Sequence, residues 1–107
     1  MTPERFQEVV DSQIKLCKQV LDSRAESYSA DDDRLHNFKQ AAYLNVVLPE
    51  DSLFGMVSKQ IVALSDEIHL ADCREDISVL RSTEYITDII NYMLLLKALI
   101  TETHDEV

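Results

Sequence analysis

Glu84, Asp88 and Asn91 stand at i, i+4 and i+7 in the most apolar stretch of the chain, Glu84-Tyr-Ile-Thr-Asp88-Ile-Ile-Asn91-Tyr-Met-Leu-Leu-Leu. That stretch reads as a helix, so the three share one of its faces. A carboxylate in such surroundings must be paired, hydrogen-bonded or bound to a cation, because an isolated charge in a core is strongly unfavourable. Lys59 and Asp66 lie seven residues apart on the preceding helical segment and also share a side. If the two helices pack antiparallel, Asp66 meets the Glu84/Asp88 stripe across a common groove. Carboxylates converging at ~4 Å repel strongly unless a cation sits between them. Mg²⁺ suits such a site, since one or two carboxylates hold it while substrate phosphates complete its shell. Lys59 would then touch a phosphate as a point charge. The plainer alternatives are a solvated side, or a dimer interface that holds these residues in a network without chemistry. The apolar residues among them, Val62, Ala63, Leu94 and Leu95, argue against a simple wet face.

A second cluster is Glu26-Ser-Tyr28…Asp33-Arg34-Leu-His36-Asn37-Phe38. Arg34 and Asn37 fall at i and i+3 of an expected helix start, where free N–H groups and an Arg fork can hold a phosphate or a base edge. The structural alternative has Asp32 or Asp33 as a cap, Arg34 paired with a local acid, and Phe38 in the core. His36, His69 and His104 lack metal-ligand spacing, and no Ser/His/Asp or Cys/His nucleophile arrangement can be argued. With one glycine in the chain, a Gly-rich phosphate loop is excluded.

Four helical segments must position these groups. The first opens at Thr2 as N-cap with Pro3 behind it, and carries Phe6, Val9, Val10, Ile14, Cys17, Val20 and Leu21 to about Asp22 or somewhat further. Residues 23–33 read as a loop or a frayed end, because Ser and Asp compete for local backbone hydrogen bonds. A short second helix is expected from about Asp33 to Leu44, with Leu35, Phe38, Ala41 and Ala42 inward. Pro49 opens the third, to about Leu70, lined by Leu53, Phe54, Val57, Ile61, Leu64 and Ile68. Gly55 lies inside it and suggests a close helix crossing. Residues 71–81 read as a polar connection, with Ser82 or Thr83 capping a fourth helix to about Thr101. Ile86, Ile89, Ile90, Met93, Leu96 and Ile100 form its expected core face, and residues 102–107 a loose tail. The expectation is a single all-α domain, bundle-like with four helices and oligomeric, because helices apolar on more than one side exceed what one copy can cover.

The chain has 107 residues, is 46% apolar and carries a net charge of −10. Such a charge disfavours direct binding to nucleic acid or to an anionic membrane. It leaves metals, metal-screened nucleotides and basic proteins as partners. Cys17 and Cys73 have no partners at zinc spacing and read as reduced thiols. No apolar run approaches the ~20 residues of a membrane helix and no signal segment is apparent, so a soluble cytoplasmic protein is expected.

The order Glu26-x-Tyr28…Asp32-Asp33-Arg34-Leu35-x-Asn37-Phe38, Pro49-Glu50-x-x-Leu53-x-Gly55-Met56-x-x-Lys59, Asp66 and Asp88-Ile-x-Asn91-Tyr92 resembles small phage and prophage proteins associated with nucleotide modification or left functionally undefined. More distantly, Glu84-x-x-x-Asp88-x-x-x-Tyr92 resembles the last metal-binding helix of the all-α nucleoside triphosphate pyrophosphatases, the MazG and dimeric dUTPase group. That resemblance implies Glu84 and Asp88 as a catalytic, metal-holding pair, with Asp66 and Mg²⁺ beside them. The leading expectation is a nucleotide-binding protein in which Lys59 and Arg34 contact phosphates while Asn37, Asn91 and Tyr28 orient base or sugar. The Glu-Glu-x-x-Glu signature of those enzymes is absent, which leaves turnover open. Two other readings stand beside nucleotide binding. One is a non-catalytic acidic phage protein that blocks a basic host defence protein or sequesters a nucleotide signal. The other is an oligomeric structural domain.

Overall fold

The computed structural model describes residues 1–28, 33–74 and 76–104, leaving aside the side chains of residues 26–28 and 71–74. Among these the chain forms four helices and no strand: α1 (Pro3–Tyr28), α2 (His36–Asn45), α3 (Pro49–Arg74) and α4 (Val79–Thr103). The all-α expectation holds. No described helix is long and apolar enough to cross a membrane.

Each start follows from local chemistry. Thr2 Oγ1 accepts from the Arg5 N–H at 3.0 Å, capping α1. Pro49, Glu50 and Asp51 open α3, with acids placed against the positive end of its dipole. Asp33 Oδ1 accepts from the Leu35 N–H at 3.0 Å just ahead of α2. Ser78 Oγ accepts from Arg81 N–H at 3.1 Å, so the cap of α4 falls four residues before Ser82. Buried Glu67 joins α3 to that start: it accepts from Ser78 N–H at 2.9 Å and from Arg81 Nε at 3.2 Å. The end of α2 is less comfortable. Val46 sits there at φ 55, the left-handed region usually given to glycine, while Val47 N–H closes onto Ala42 O at 3.0 Å.

Three helices outrun their expected ends. α1 continues through residues 23–28, since Arg24, Ala25 and Glu26 favour helix and no Pro or Gly intervenes. α3 runs to Arg74 and α4 to Thr103, so the expected tail loses its first residues to the helix; residues 105–107 lie outside the described residues, as do Asp31 and Asp32.

α3 and α4 pack side by side as one layer. α2 lies on α3 and α1 on α4, both on the same side of that layer. The core is Leu35, Phe38, Leu53, Val57 and Leu99, with Met56, Tyr92, Leu95 and Leu96 against it. The inward face expected of α2 is therefore correct, and that of α3 only for Leu53, Val57 and half-buried Leu64. On α4 the buried residues are Thr87, Asn91 and Leu99, whereas Ile86, Met93 and Ile100 are exposed. Gly55 makes no close crossing: a Cβ there would meet nothing within 4 Å.

Candidate functional site

α1 docks on α4 through polar contacts. Gln13 Nε2 donates to Thr87 Oγ1 at 2.7 Å, and Thr87 Oγ1 donates in turn to Thr83 O at 2.7 Å. Asn91 Nδ2 donates to Cys17 O at 3.2 Å, and Arg24 lies 3.4 Å from Asp88 Oδ1. From the other side Arg34 Nη2 reaches Leu21 O at 3.5 Å. These contacts frame a cleft of about 320 Å³, floored by Met56 of α3 and by Asp88, Asn91, Tyr92 and Leu95 of α4. Its walls are Val20, Leu21 and Arg24 from α1, with Arg34, Asn37, Phe38 and Ala41 from the start of α2.

Among the described residues, two polar atoms of this cleft are buried without a partner. Asn91 is only 6% exposed, and its Oδ1 accepts nothing. Its orientation is set by chemistry, because turning the amide over would press Oδ1 against the Cys17 carbonyl oxygen. Arg34 Nη1 is likewise buried and unused. A buried donor or acceptor left unmade costs about 1–3 kcal/mol. The cleft thus holds one spare donor, on a cation, and one spare acceptor, on an amide. Two of the chain's ten basic residues converge here against a single carboxylate.

A second hollow of about 200 Å³ shares Val20, Arg24 and Asp88 with the cleft and adds Leu16, Glu84 and Thr87. The Arg24–Asp88 pair is therefore a wall common to both. Glu84 and Asp88 line this hollow together, with Glu84 exposed.

Arg34, Asn37, Asp88 and Asn91, singled out from two distant segments, meet on one cleft. Asp66 does not join them. It is exposed on α3, and Glu67 beside it turns inward to hold the start of α4. Among the described residues no three His, Cys, Asp or Glu come together as a possible metal set. Lys59 is exposed on α3 and lines neither hollow. The side chains of Tyr28 and Cys73 lie outside the described residues, while Cys17 is buried and free. Arg24 was not among the expected site residues. Once α1 is continued past Ser23, Arg24 falls four residues after Val20 and seven after Cys17, on the inward face. Compared with protein-family models, curated proteins and solved structures, the chain finds no match.

Proposed function

We propose that the cleft between α1, α2 and α4 binds a nucleotide. The observation that carries this reading is the pair of spare groups on one cleft, a guanidinium N–H on Arg34 and an amide oxygen on Asn91. A phosphate supplies the acceptor that Arg34 lacks, and a base N–H supplies the donor that Asn91 Oδ1 lacks. Arg24 stands ready to add a second phosphate contact, and Asn37 at the rim meets a further polar edge. Phe38, Met56, Tyr92 and Leu95 give the planar base an apolar and aromatic bed.

Mg²⁺, where it takes part, would be held by Glu84 and Asp88 and would screen the charge of a bound phosphate. Those two carboxylates line one hollow, whereas Asp66 is on the outer surface of α3. The proposal concerns binding. A stoichiometric complex without turnover would be that of a sequestering protein, and turnover with Mg²⁺ that of a hydrolase.

Calorimetric titration of the full chain with nucleoside mono-, di- and triphosphates, each with and without Mg²⁺, tests the reading. Arg34→Gln removes a charge-assisted contact of about 1.5–3 kcal/mol, so its Kd should rise roughly ten- to a hundredfold. Lys59→Gln, outside the cleft, should leave Kd unchanged. An absence of heat with every nucleotide, or equal losses in the two variants, sinks it.

A further inference from the structure

We propose that the bare side of the α3–α4 layer, opposite the cleft, is where a second copy of this chain packs to form a dimer. Phe54, Ile61 and Ile68 recur at seven-residue steps on α3, and Ile86, Met93 and Ile100 do so on α4. Each set is therefore a straight stripe. At 3.6 residues per turn, each stripe lies on the far side of its helix from the cleft-lining Met56 or Asp88. The two helices run antiparallel, with Glu67 bonded to Arg81 near one end and Glu50 accepting from Thr103 near the other. Antiparallel packing therefore brings the Phe54 end of one stripe beside the Ile100 end of the other, with the Ile68 end towards Ile86. The stripes thus form one continuous apolar face, and its six residues are between 38% and 56% exposed.

Three observations select a second copy as the occupant. The first is the scarcity of charge at its centre, with Lys97 and Glu50 standing at its margins. Along the face, positions 54, 58, 61, 65 and 68 of α3 and 82, 86, 89, 93, 96 and 100 of α4 hold only Phe, Ile, Met, Leu and Ser. In a chain where 28% of residues are charged and the net charge is −10, two copies repel almost everywhere else. A charge-depleted centre is what a self-complementary two-fold interface requires. The hydroxyls of Ser58 and Ser65 are already engaged, with Phe54 O at 2.9 Å and His69 Nδ1 at 3.3 Å, so covering them strands no polar group.

The second is area. The chain exposes 7893 Å², whereas a compact monomer of its mass exposes about 6100 Å². Its radius of gyration is 16.2 Å, against about 13 Å for a compact domain of this length. The six side chains alone offer on the order of 550 Å², and with their flanking residues the face approaches the ~800 Å² per partner of a standard interface. The third is shape. Two helices side by side, with no third element among the described residues on their outer face, are half of a four-helix bundle, and an identical pair across a two-fold axis completes it. Other exposed apolar residues do not make such a face. Phe6 and Val9 on α1 are interspersed with Glu4, Arg5, Glu8 and Asp11, and Tyr43, Leu44 and Val46 lie at the end of α2 and the turn after it.

Sedimentation equilibrium of the full chain at micromolar concentration tests this independently of any nucleotide. The expected mass is twice the 12.3 kDa of the chain. Met93→Glu and Ile61→Glu, each at the middle of the face, should raise the dimer dissociation constant about a hundredfold or more. Their helical circular dichroism should persist, because both side chains are exposed in a single copy. Leu44→Glu, in the last turn of α2, should remain dimeric. A monomeric wild type overturns the proposal. So does a dimer indifferent to both Met93→Glu and Ile61→Glu, or one that Leu44→Glu dissociates instead.

Discussion

Replacing Asn91 by Leu should make the protein more stable and abolish ligand binding together. The change removes the 3.2 Å bond from Asn91 Nδ2 to Cys17 O, a loss of about 1 kcal/mol. The Cys17 carbonyl is not orphaned, since within α1 it still accepts from the N–H four residues on. Against that loss, the unpartnered Oδ1 disappears, which returns about 1–3 kcal/mol. An isobutyl group at a position only 6% exposed adds about 1 kcal/mol of apolar burial, its extra volume extending into the cleft. The net expectation is a gain of about 1–3 kcal/mol, or a rise of roughly 5–15 °C in Tm for a domain of this size. Urea unfolding followed by circular dichroism, at one fixed protein concentration, reads the stability; calorimetry reads the binding. A less stable Asn91→Leu would mean that Asn91 is a structural strap between α1 and α4 and that its oxygen is not held for a ligand. That single result refutes the reasoning behind the cleft.

Two further outcomes test the fold. Gly55→Ala should stabilise by about 0.5–1 kcal/mol in the same urea assay, because helix favours Ala and the new Cβ meets nothing within 4 Å; a lower midpoint would reveal a contact at that position. Lys39 bridges Asp33 at 2.9 Å and Glu102 at 2.6 Å, and so ties the start of α2 to the end of α4. Its bond to Glu102 and then that to Asp33 raise the Lys39 pKa above 10.5, while Lys39 and the Leu35 N–H hold Asp33 below 3.8. Asp33 therefore contributes stability above its ordinary value, lost as pH falls through its lower folded value. Lys39 contributes below 10.5 and loses it as pH rises through its higher folded value. The midpoint difference between wild type and Lys39→Met should be flat between those limits and shrink beyond both; a constant difference throughout would show that the clasp is not electrostatic.

The sequence discloses the ends of elements where one side chain does the capping, as at Thr2 and Pro49, and the face of α2 where aromatic and small residues leave no choice. It misleads where two signals compete. Ser23 and Asp22 suggested a stop to α1, but neither blocks helix as Pro or Gly would, and the surrounding Arg24, Ala25 and Glu26 carry the helix on. That early stop hid Arg24. On α4 the larger aliphatic residues, Ile86, Ile90, Met93 and Ile100, pointed to one core face, yet the chain buries Thr87 and Asn91. Burial there is decided by partners on other elements, Gln13 and the Cys17 carbonyl among them. No periodicity within α4 can reveal those. The expected meeting of Asp66 with Glu84 and Asp88 fails for a related reason. The helices do run antiparallel, which was the condition for that meeting, but α3 turns Glu67 toward α4 and leaves Asp66 on the outside.

These two departures have one origin. α4 is apolar nearly all round, so hydrophobicity alone cannot choose which side of it faces the rest of its own chain. The polar stripe decides, because Thr87, Asp88 and Asn91 find donors and acceptors only where α1 lies. Once they are turned inward, the aliphatic stripe of the same helix must face outward. The cleft and the bare apolar face are then opposite sides of a single choice of helix rotation. A sequence selected only for a stable monomer would have placed Met93 and Ile100 inside and the amide of Asn91 in water. That this chain does the reverse on both sides is the physical reason to look for a ligand on one and a second copy on the other.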